Sequence, residues 1–339
     1  MTIGINYSPC RKENVPKFTV KELLKITRGK LIHGSLSRSA KIHTTGISID
    51  TRLLKKGQVF LALKGKNFAG AGFVKEAFKK GAGAAIVDCP LALANLTAEA
   101  IIIRVKDTVK CLGDIAGYWR RKFSVPLVGI TGSNGKTTTK DMAERILSSK
   151  FKVLSTRGNF NNHIGLPLTL LELGPEHKMI CLEMGTSSFG EIKYLCRIAS
   201  PLRVGVITNI QRAHLLNFGD LDGVLKAKME LIDSLSSRGV AIVNIDDQHL
   251  AKALNKIKTK VLTYGINNTE ADISAGNICV ETKGIKFTVT VARKNKIFTE
   301  KVNLPILGYQ NVYNALAAIS VGCIFNIPLK VSARRLAGF

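Results

Sequence analysis

Between residues 126 and 265, continuous apolar runs alternate with helical patterns. No other feature constrains the fold as strongly. The runs are "PLVGIT" (126–131), "KVLST" (152–156), "MICLEM" (179–184), "RVGVITN" (203–209), "GVAIVN" (239–244) and "KVLTYG" (260–265), with helices expected over 136–149, 189–197 and 220–236. Strands that are apolar at every position need cover on both faces, as in a parallel sheet wrapped by crossover helices. A smaller unit of the same kind precedes it, with strands at 58–65, 83–88 and 100–105 and a helix at 72–82. A helix at 107–123 leads from one unit to the other. Residues 271–303 read as short antiparallel strands with turns at Lys283-Gly284 and Lys294-Asn295, and a last helix is expected over 310–325. The expected fold class is therefore α/β: a small N-terminal α/β domain, then a central domain with a mostly parallel sheet and a short antiparallel β insertion.

A chain of 339 residues is long enough for two or three domains. It has no apolar run of about 18 residues, so no membrane span is expected. The N-terminal stretch has no apolar core of a signal peptide. Seven scattered cysteines with no C-x-x-C pair point to free thiols, and so to a cytoplasmic protein. The net charge of +26 raises nucleic-acid binding as a reading. The basic residues are spread along the whole chain with few aromatics between them, so we expect a lysine-rich surface and no nucleic-acid partner.

In open parallel sheets, ligands bind beyond the carboxyl ends of the strands. Three such ends carry polar groups here. The first leads into "GITGSNGKTTTKD" (129–141), where three glycines allow backbone N–H groups to turn toward phosphate and a helix begins. The spacing differs from G-x-x-x-x-G-K-[ST], because Ile130 stands where the first glycine would be. Lys136 is placed to neutralise the terminal phosphates, and Thr137 to offer a hydroxyl to Mg²⁺. The second end carries Glu183, which is either a hydrogen-bonded structural group or a magnesium ligand. The third runs through Thr208 and Asn209 to His214 and the helix at 220–236.

That last helix carries two lysines in different settings. Lys226 has Asp222, Glu230 and Asp233 at helical spacing and reads as an ion-paired face. Lys228 falls in a stripe with Leu221, Val224, Leu225, Leu231, Ile232 and Leu235. Two readings stand open. Either the stem packs while the ammonium snorkels to water, or burial lowers the pKa and a neutral amine takes up CO₂ as a carbamate, which binds metal. His163 and the remaining histidines read as surface residues.

Together, "GITGSNGKTTTKD", "RGNFNNHIGLPLTLLEL" (157–173), "LEMGTSSFGEI" (182–192), "ITNIQRAHLLNFGDLDGVLKAKMEL" (207–231) and "GYQNVYNALAA" (308–318) resemble the Mur ligase family of peptidoglycan synthesis. That family's loop is T-G-[ST]-x-G-K-T, which accounts for the unusual spacing. "GISIDTR" (46–52) with "GQVFLALKG" resembles its N-terminal domain. Within the family, the stretches are most similar to the members that add D-alanyl-D-alanine to UDP-N-acetylmuramoyl-tripeptide. The alternatives are another step of the same family or a catalytically silent ATP-binding protein.

The resemblance implies ATP-dependent amide ligation through an acyl phosphate, by a monomer with small-molecule substrates. The implied cofactors are ATP, two Mg²⁺ ions and a carbamate on Lys228. Gly132, Ser133, Asn134, Gly135, Lys136, Thr137, Thr138, Asn209 and Asn311 would bind ATP, with Asn311 at the adenine. Thr137 and Glu183 would hold one metal, and His214 and modified Lys228 the other. Lys136, Lys228 and His214 would be the catalytic set. Asp50, Thr51, Arg52 and Asn162 would bind the UDP-muramoyl substrate. The implied domains are 1–105 for the UDP-sugar, 106–328 for ATP, and 329–339 as the start of a linker toward a C-terminal domain. On that expectation the chain turns over poorly alone. Two positions depart from the family pattern: Ala69 and Ala71 stand where an acid and a histidine are usual, and Gln310 replaces a histidine.

Overall fold

The computed structural model describes residues 16–35, 43–65, 68–90, 96–293 and 296–339. The turn expected at Lys294-Asn295 and the N-terminal stretch read for a signal peptide lie outside these residues. The chain divides into two compact units: one ends at Phe123 and takes in Leu170–Pro175, and the other comprises Ser124–Thr169 and Glu176–Phe339.

The first unit contains β1 (Lys17–Thr19), α1 (Val20–Thr27), β2 (Lys30–His33), β3 (His43–Thr45), β4 (Ile47–Ser48), β5 (Val59–Leu61), β6 (Lys64–Gly65), β7 (Phe68–Ala69), α2 (Val74–Lys79), β8 (Ala84–Val87), β9 (Ile102–Arg104) and α3 (Thr108–Arg120). Its main sheet runs β2-β9-β8-β5-β4. β4, β5, β8 and β9 are parallel to one another, and β2 is antiparallel at the edge. The core gathers Phe60, Val74, Ala77, Ala85, Val87 and Ile102. Asp107 caps α3 by accepting the Lys110 N–H at 2.9 Å. This helix groups with the first unit, so the boundary falls near 123 and not at 105, where the apolar pattern pauses.

The second unit contains β10 (Leu127–Thr131), α4 (Lys136–Leu147), β11 (Val153–Ser155), α5 (Gly165–Leu171), β12 (Met179–Glu183), α6 (Glu191–Ala199), β13 (Leu202–Ile207), α7 (Leu215–Phe218), α8 (Leu221–Asp233), β14 (Leu235–Asn244), α9 (Gln248–Ala253), β15 (Lys260–Gly265), β16 (Ile273–Glu281), β17 (Gly284–Arg293), β18 (Lys296–Leu304), α10 (Gln310–Ile324) and α11 (Leu329–Ala337). Its nine-stranded sheet runs β11-β12-β10-β13-β14-β15-β16-β17-β18. Alternation along the strands supplies both faces. Val204, Val206 and Ile242 pack with Met142 and Ile146 of α4 and Leu316 and Ile319 of α10. Their neighbours Ile207, Ala241 and Val243 pack with Val224 and Ala227 of α8 and Leu250 of α9.

Two expectations about the second unit are corrected. The strands at 273–304 are 9, 10 and 9 residues long and continue the main sheet, antiparallel to one another. They are longer than the short strands expected, and the first turn falls at Thr282-Lys283. Residues 329–337 form a helix where a linker was expected. Ser332, Ala333 and Leu336 of α11 are buried, and Arg145 and Arg335 each donate Nε to the other's backbone carbonyl at 2.9 Å.

Candidate functional site

β12, β10 and β13 are neighbours, with Ile130 level with Glu183 and Thr131 level with Ile207. Three strand ends therefore open side by side. β10 is followed by strands on one side and then by β13 on its other side, which makes a topological switch point.

The loop between β10 and α4 turns at Gly132 (φ +152°) and Gly135 (φ +77°), where a Cβ would strike Thr208 Oγ1 and Asn314 Oδ1 respectively. Its outer side is tied to the segment after β13. Ser133 N donates to Asn209 O at 3.0 Å. Asn134 N donates to Asn209 Oδ1 at 3.0 Å, and Asn209 Nδ2 returns a bond to Asn134 O at 3.1 Å. Ser133 Oγ donates to Gln211 O at 3.0 Å, and Asn134 Nδ2 to Gln211 Oε1 at 2.5 Å. The side chains and N–H groups of Ser133 and Asn134 thus hold the loop in shape, leaving the α4 N-terminus to face an anion. Lys136 Nζ donates to Gly132 O at 3.1 Å and Ser133 O at 3.0 Å. Burial lowers its pKa, opposed by the charge of Glu183.

Glu183 is 2% exposed at the end of β12. One carboxylate oxygen accepts from Thr137 Oγ1 at 2.7 Å, the other from Asn161 Nδ2 at 2.6 Å. Its backbone N–H goes to Thr156 Oγ1 at 3.0 Å. No three His, Cys, Asp or Glu side chains gather as a metal-binding group among the described residues. Any metal here would lean on this carboxylate, hydroxyls and ligand oxygens.

Lys228 is 4% exposed. Burial first, and Lys136 second, push its amine down to about 8. Lys228 lines a cavity of about 710 Å³ together with Gly132, Ser133, Lys136, Asn162 and His214. His214 is exposed in the left-handed region (φ +52°), with its ring edge-on to Phe218 at 6.4 Å. Two lysines on one cavity, Lys228 buried and Lys136 half-buried, make it a place for anions.

Six of the expected site residues thus share a cavity. Asn134, Gly135, Thr137, Thr138, Asn209 and Glu183 belong to the loop, the helix start or their hydrogen-bond partners. Asn162 uses its side-chain oxygen on the N–H groups of Ile164 and Gly165, at 3.0 and 2.9 Å. Asn311 lies outside the cavity lining. Its Nδ2 donates to Leu307 O at 2.7 Å, and its Oδ1 accepts from Asn314 Nδ2 at 2.9 Å. In the first unit, Arg52 Nη2 donates to Asp50 Oδ2 at 2.5 Å and Lys80 Nζ to Thr51 O at 3.0 Å. Arg52 holds the Asp50 carboxyl below its usual value.

Sequence reasoning missed Asn161, Gln211 and the 186–195 stretch, and it read His163 as a surface residue only. His163 is exposed and also lines the cavity. Lys226 was expected to pair with acids; instead its ammonium stands 5.7 Å over the Phe189 ring.

Residues 130–322 match the Mur ligase middle domain, and residues 43–120 match the Mur ligase family catalytic domain. UDP-N-acetylmuramoyl-tripeptide--D-alanyl-D-alanine ligase of Bacillus subtilis is 38% identical over 322 residues, covering 95% of this chain and 67% of that one. The Escherichia coli ligase of the same name is 36% identical, covering 89% and 64%. The crystal structure of MurF from Acinetobacter baumannii superposes with a TM-score of 0.85 at 32% identity, covering 96% and 68%. MurF ligase from Thermotoga maritima in complex with ADP gives 0.77 at 29% identity, covering 86% and 65%. The chain spans about two thirds of the length of these relatives.

Proposed function

The chain belongs to the Mur ligase family, and from that premise we propose that it serves the ATP-dependent addition of D-alanyl-D-alanine to UDP-N-acetylmuramoyl tripeptide in peptidoglycan synthesis. The observation that carries this reading is the meeting of the glycine loop, Lys136, Lys228 and His214 on one cavity. The reaction must bring two anions together, a triphosphate and a carboxylate, and such a cavity lowers the cost of doing so.

In this reading the tripeptide carboxylate attacks the γ-phosphorus of ATP, ADP leaves, and an acyl phosphate forms. The amine of D-alanyl-D-alanine then attacks the acyl carbon and phosphate leaves. The N–H groups at the start of α4 take the phosphates, and Lys136 exchanges the carbonyls of Gly132 and Ser133 for phosphate oxygens. Asn209 keeps the loop in register, and Asn311 lies at the start of α10 for the adenine. Asp50, Thr51 and Arg52 serve the uridine diphosphate end, and Asn162 the peptide.

Thr137 and Glu183 fit a magnesium ion, as hard oxygen donors with the carboxylate held by two neutral groups. His214 and Lys228 fit a second ion once the amine carries a carbamate, since a bare amine suits that cation poorly. Burial that lowers the Lys228 pKa favours the neutral form that CO₂ requires. When bound, such ions neutralise charge between phosphoryl group and carboxylate.

The test is ADP release, and a product extended by D-alanyl-D-alanine on mass spectrometry, each dependent on the tripeptide. ATP binding that is indifferent to the uridine peptide, with no tripeptide-dependent ADP, would sink the reading.

A further inference from the structure

We propose that Glu230 is a positioning residue for the ligation: from α8 it holds the 185–190 wall of the cavity in place beside Lys228. The identity of the substrate in this proposal rests on the functional reading above. Glu230 Oε1 accepts from Gly190 N at 2.7 Å, and Oε2 from Lys193 N at 2.9 Å. Gly190, the residue before α6, has φ +83° and no side chain to cap the helix. A carboxylate from another helix therefore supplies what a local cap would supply, with favourable charge at the positive end of α6.

The wall is fastened from its own side too. Glu191 accepts from Ser187 N at 2.6 Å, Ser188 N at 3.1 Å and Thr186 Oγ1 at 3.1 Å. Asn217 Nδ2 donates to Ser187 O at 2.8 Å. Gly185, Thr186, Ser187, Phe189 and Gly190 line the cavity, whereas Glu230 does not. Glu230 therefore acts through the wall. It stands two residues from Lys228 on the same helix, so its two hydrogen bonds set the distance between the wall and the helix that presents the amine. Helical spacing offered Glu230 to Lys226 as an exposed ion pair, which stabilises little. Charged hydrogen bonds to two helix-start N–H groups are stronger and directional.

The experiment compares the full chain with Glu230→Ala and Glu230→Gln, using UDP-N-acetylmuramoyl tripeptide and ATP. Glu230→Ala should raise KM or Kd for the tripeptide about tenfold or more, with a smaller change in kcat. Its nucleotide Kd should stay within about twofold, because the glycine loop has its own ties. Glu230→Gln keeps one acceptor oxygen and should recover most of the loss. Amide exchange over 185–193 should speed up in Glu230→Ala while that over 132–137 holds. Wild-type tripeptide affinity in Glu230→Ala, or equal loss for both ligands, overturns the proposal. If the wild-type chain ignores the tripeptide, the functional reading fails instead. The exchange comparison then decides on Glu230, and unchanged exchange over 185–193 overturns its role.

Discussion

The Asp50–Arg52 corner of the first unit and the Lys228 corner of the second both carry charge where a substrate is expected. They handle it in opposite ways. Asp50 and Arg52 satisfy each other, with side chains 22% and 66% exposed, so the pair is inexpensive with or without a ligand. Lys228 is 4% exposed, and no hydrogen bond or ion pair reaches its amine among the described residues. A buried amine in that state costs the fold free energy. The lesson is that a charge kept at a cost marks chemistry more sharply than a charge kept in balance.

The largest expected effect tests that contrast directly. Lys228→Met removes the ammonium and keeps most of the stem. Below pH 8 both folded and unfolded chains carry the proton, and the folded chain bears the full burial cost. With the amine lowered from 10.5 to about 8, that cost is about 3 kcal/mol. As pH rises from 8 through 10.5, the folded chain sheds its proton first, so stability climbs until the cost is gone. In CO₂-free buffer, Lys228→Met should therefore be the more stable protein at pH 7, by roughly 1–3 kcal/mol, and its stability should climb less than the wild type's across that window. Its ligation rate should fall by about 10²–10³. Denaturation midpoints at pH 7 and 9.5, beside initial rates, check both halves. A less stable variant, or a fully active one, would erase the difference between the two corners.

A smaller effect belongs to Asn161. Its amide holds one oxygen of Glu183 while Thr137 holds the other. Asn161→Ala should leave the carboxylate free to swing and weaken magnesium-nucleotide binding about tenfold. Titration with nucleotide at fixed magnesium measures it. Unchanged affinity would mean that Thr137 alone orients Glu183.

Asn161 also shows where legibility ends. The strands and the glycine loop were readable because apolar runs and G-K-T carry their own pattern. Glu183 was readable because a carboxylate at the end of an apolar strand breaks one. In "NFNNH" no period applies, so nothing distinguished Asn161, which binds Glu183, from Asn162, which caps a helix start. Lys226 was misassigned because helical spacing lists the neighbours on one helix and cannot see that Glu230 is drawn away to α6. The helix at 329–337 escaped notice because its buried face is made of Ser332, Ala333 and Leu336. Small residues there give a weak apolar signal beside two arginines.

The smallest expected effect lies at the balanced corner. The Arg52 guanidinium holds the Asp50 carboxyl below its ordinary value of 3.8. The contribution is present above that value and fades as pH falls through the lower folded one. Solvent screens it throughout, since Arg52 is largely exposed. Asp50→Asn should shift Tm at pH 7 by no more than about 2 °C, and the difference from wild type should close in strong acid. The same variant should weaken binding of the uridine substrate severalfold and leave ATP affinity alone, if this corner serves the uridine diphosphate. Calorimetry with each ligand reads both outcomes. A large loss of Tm would show that an exposed, satisfied pair can be as costly to disturb as a buried amine, and burial would then cease to separate the two corners.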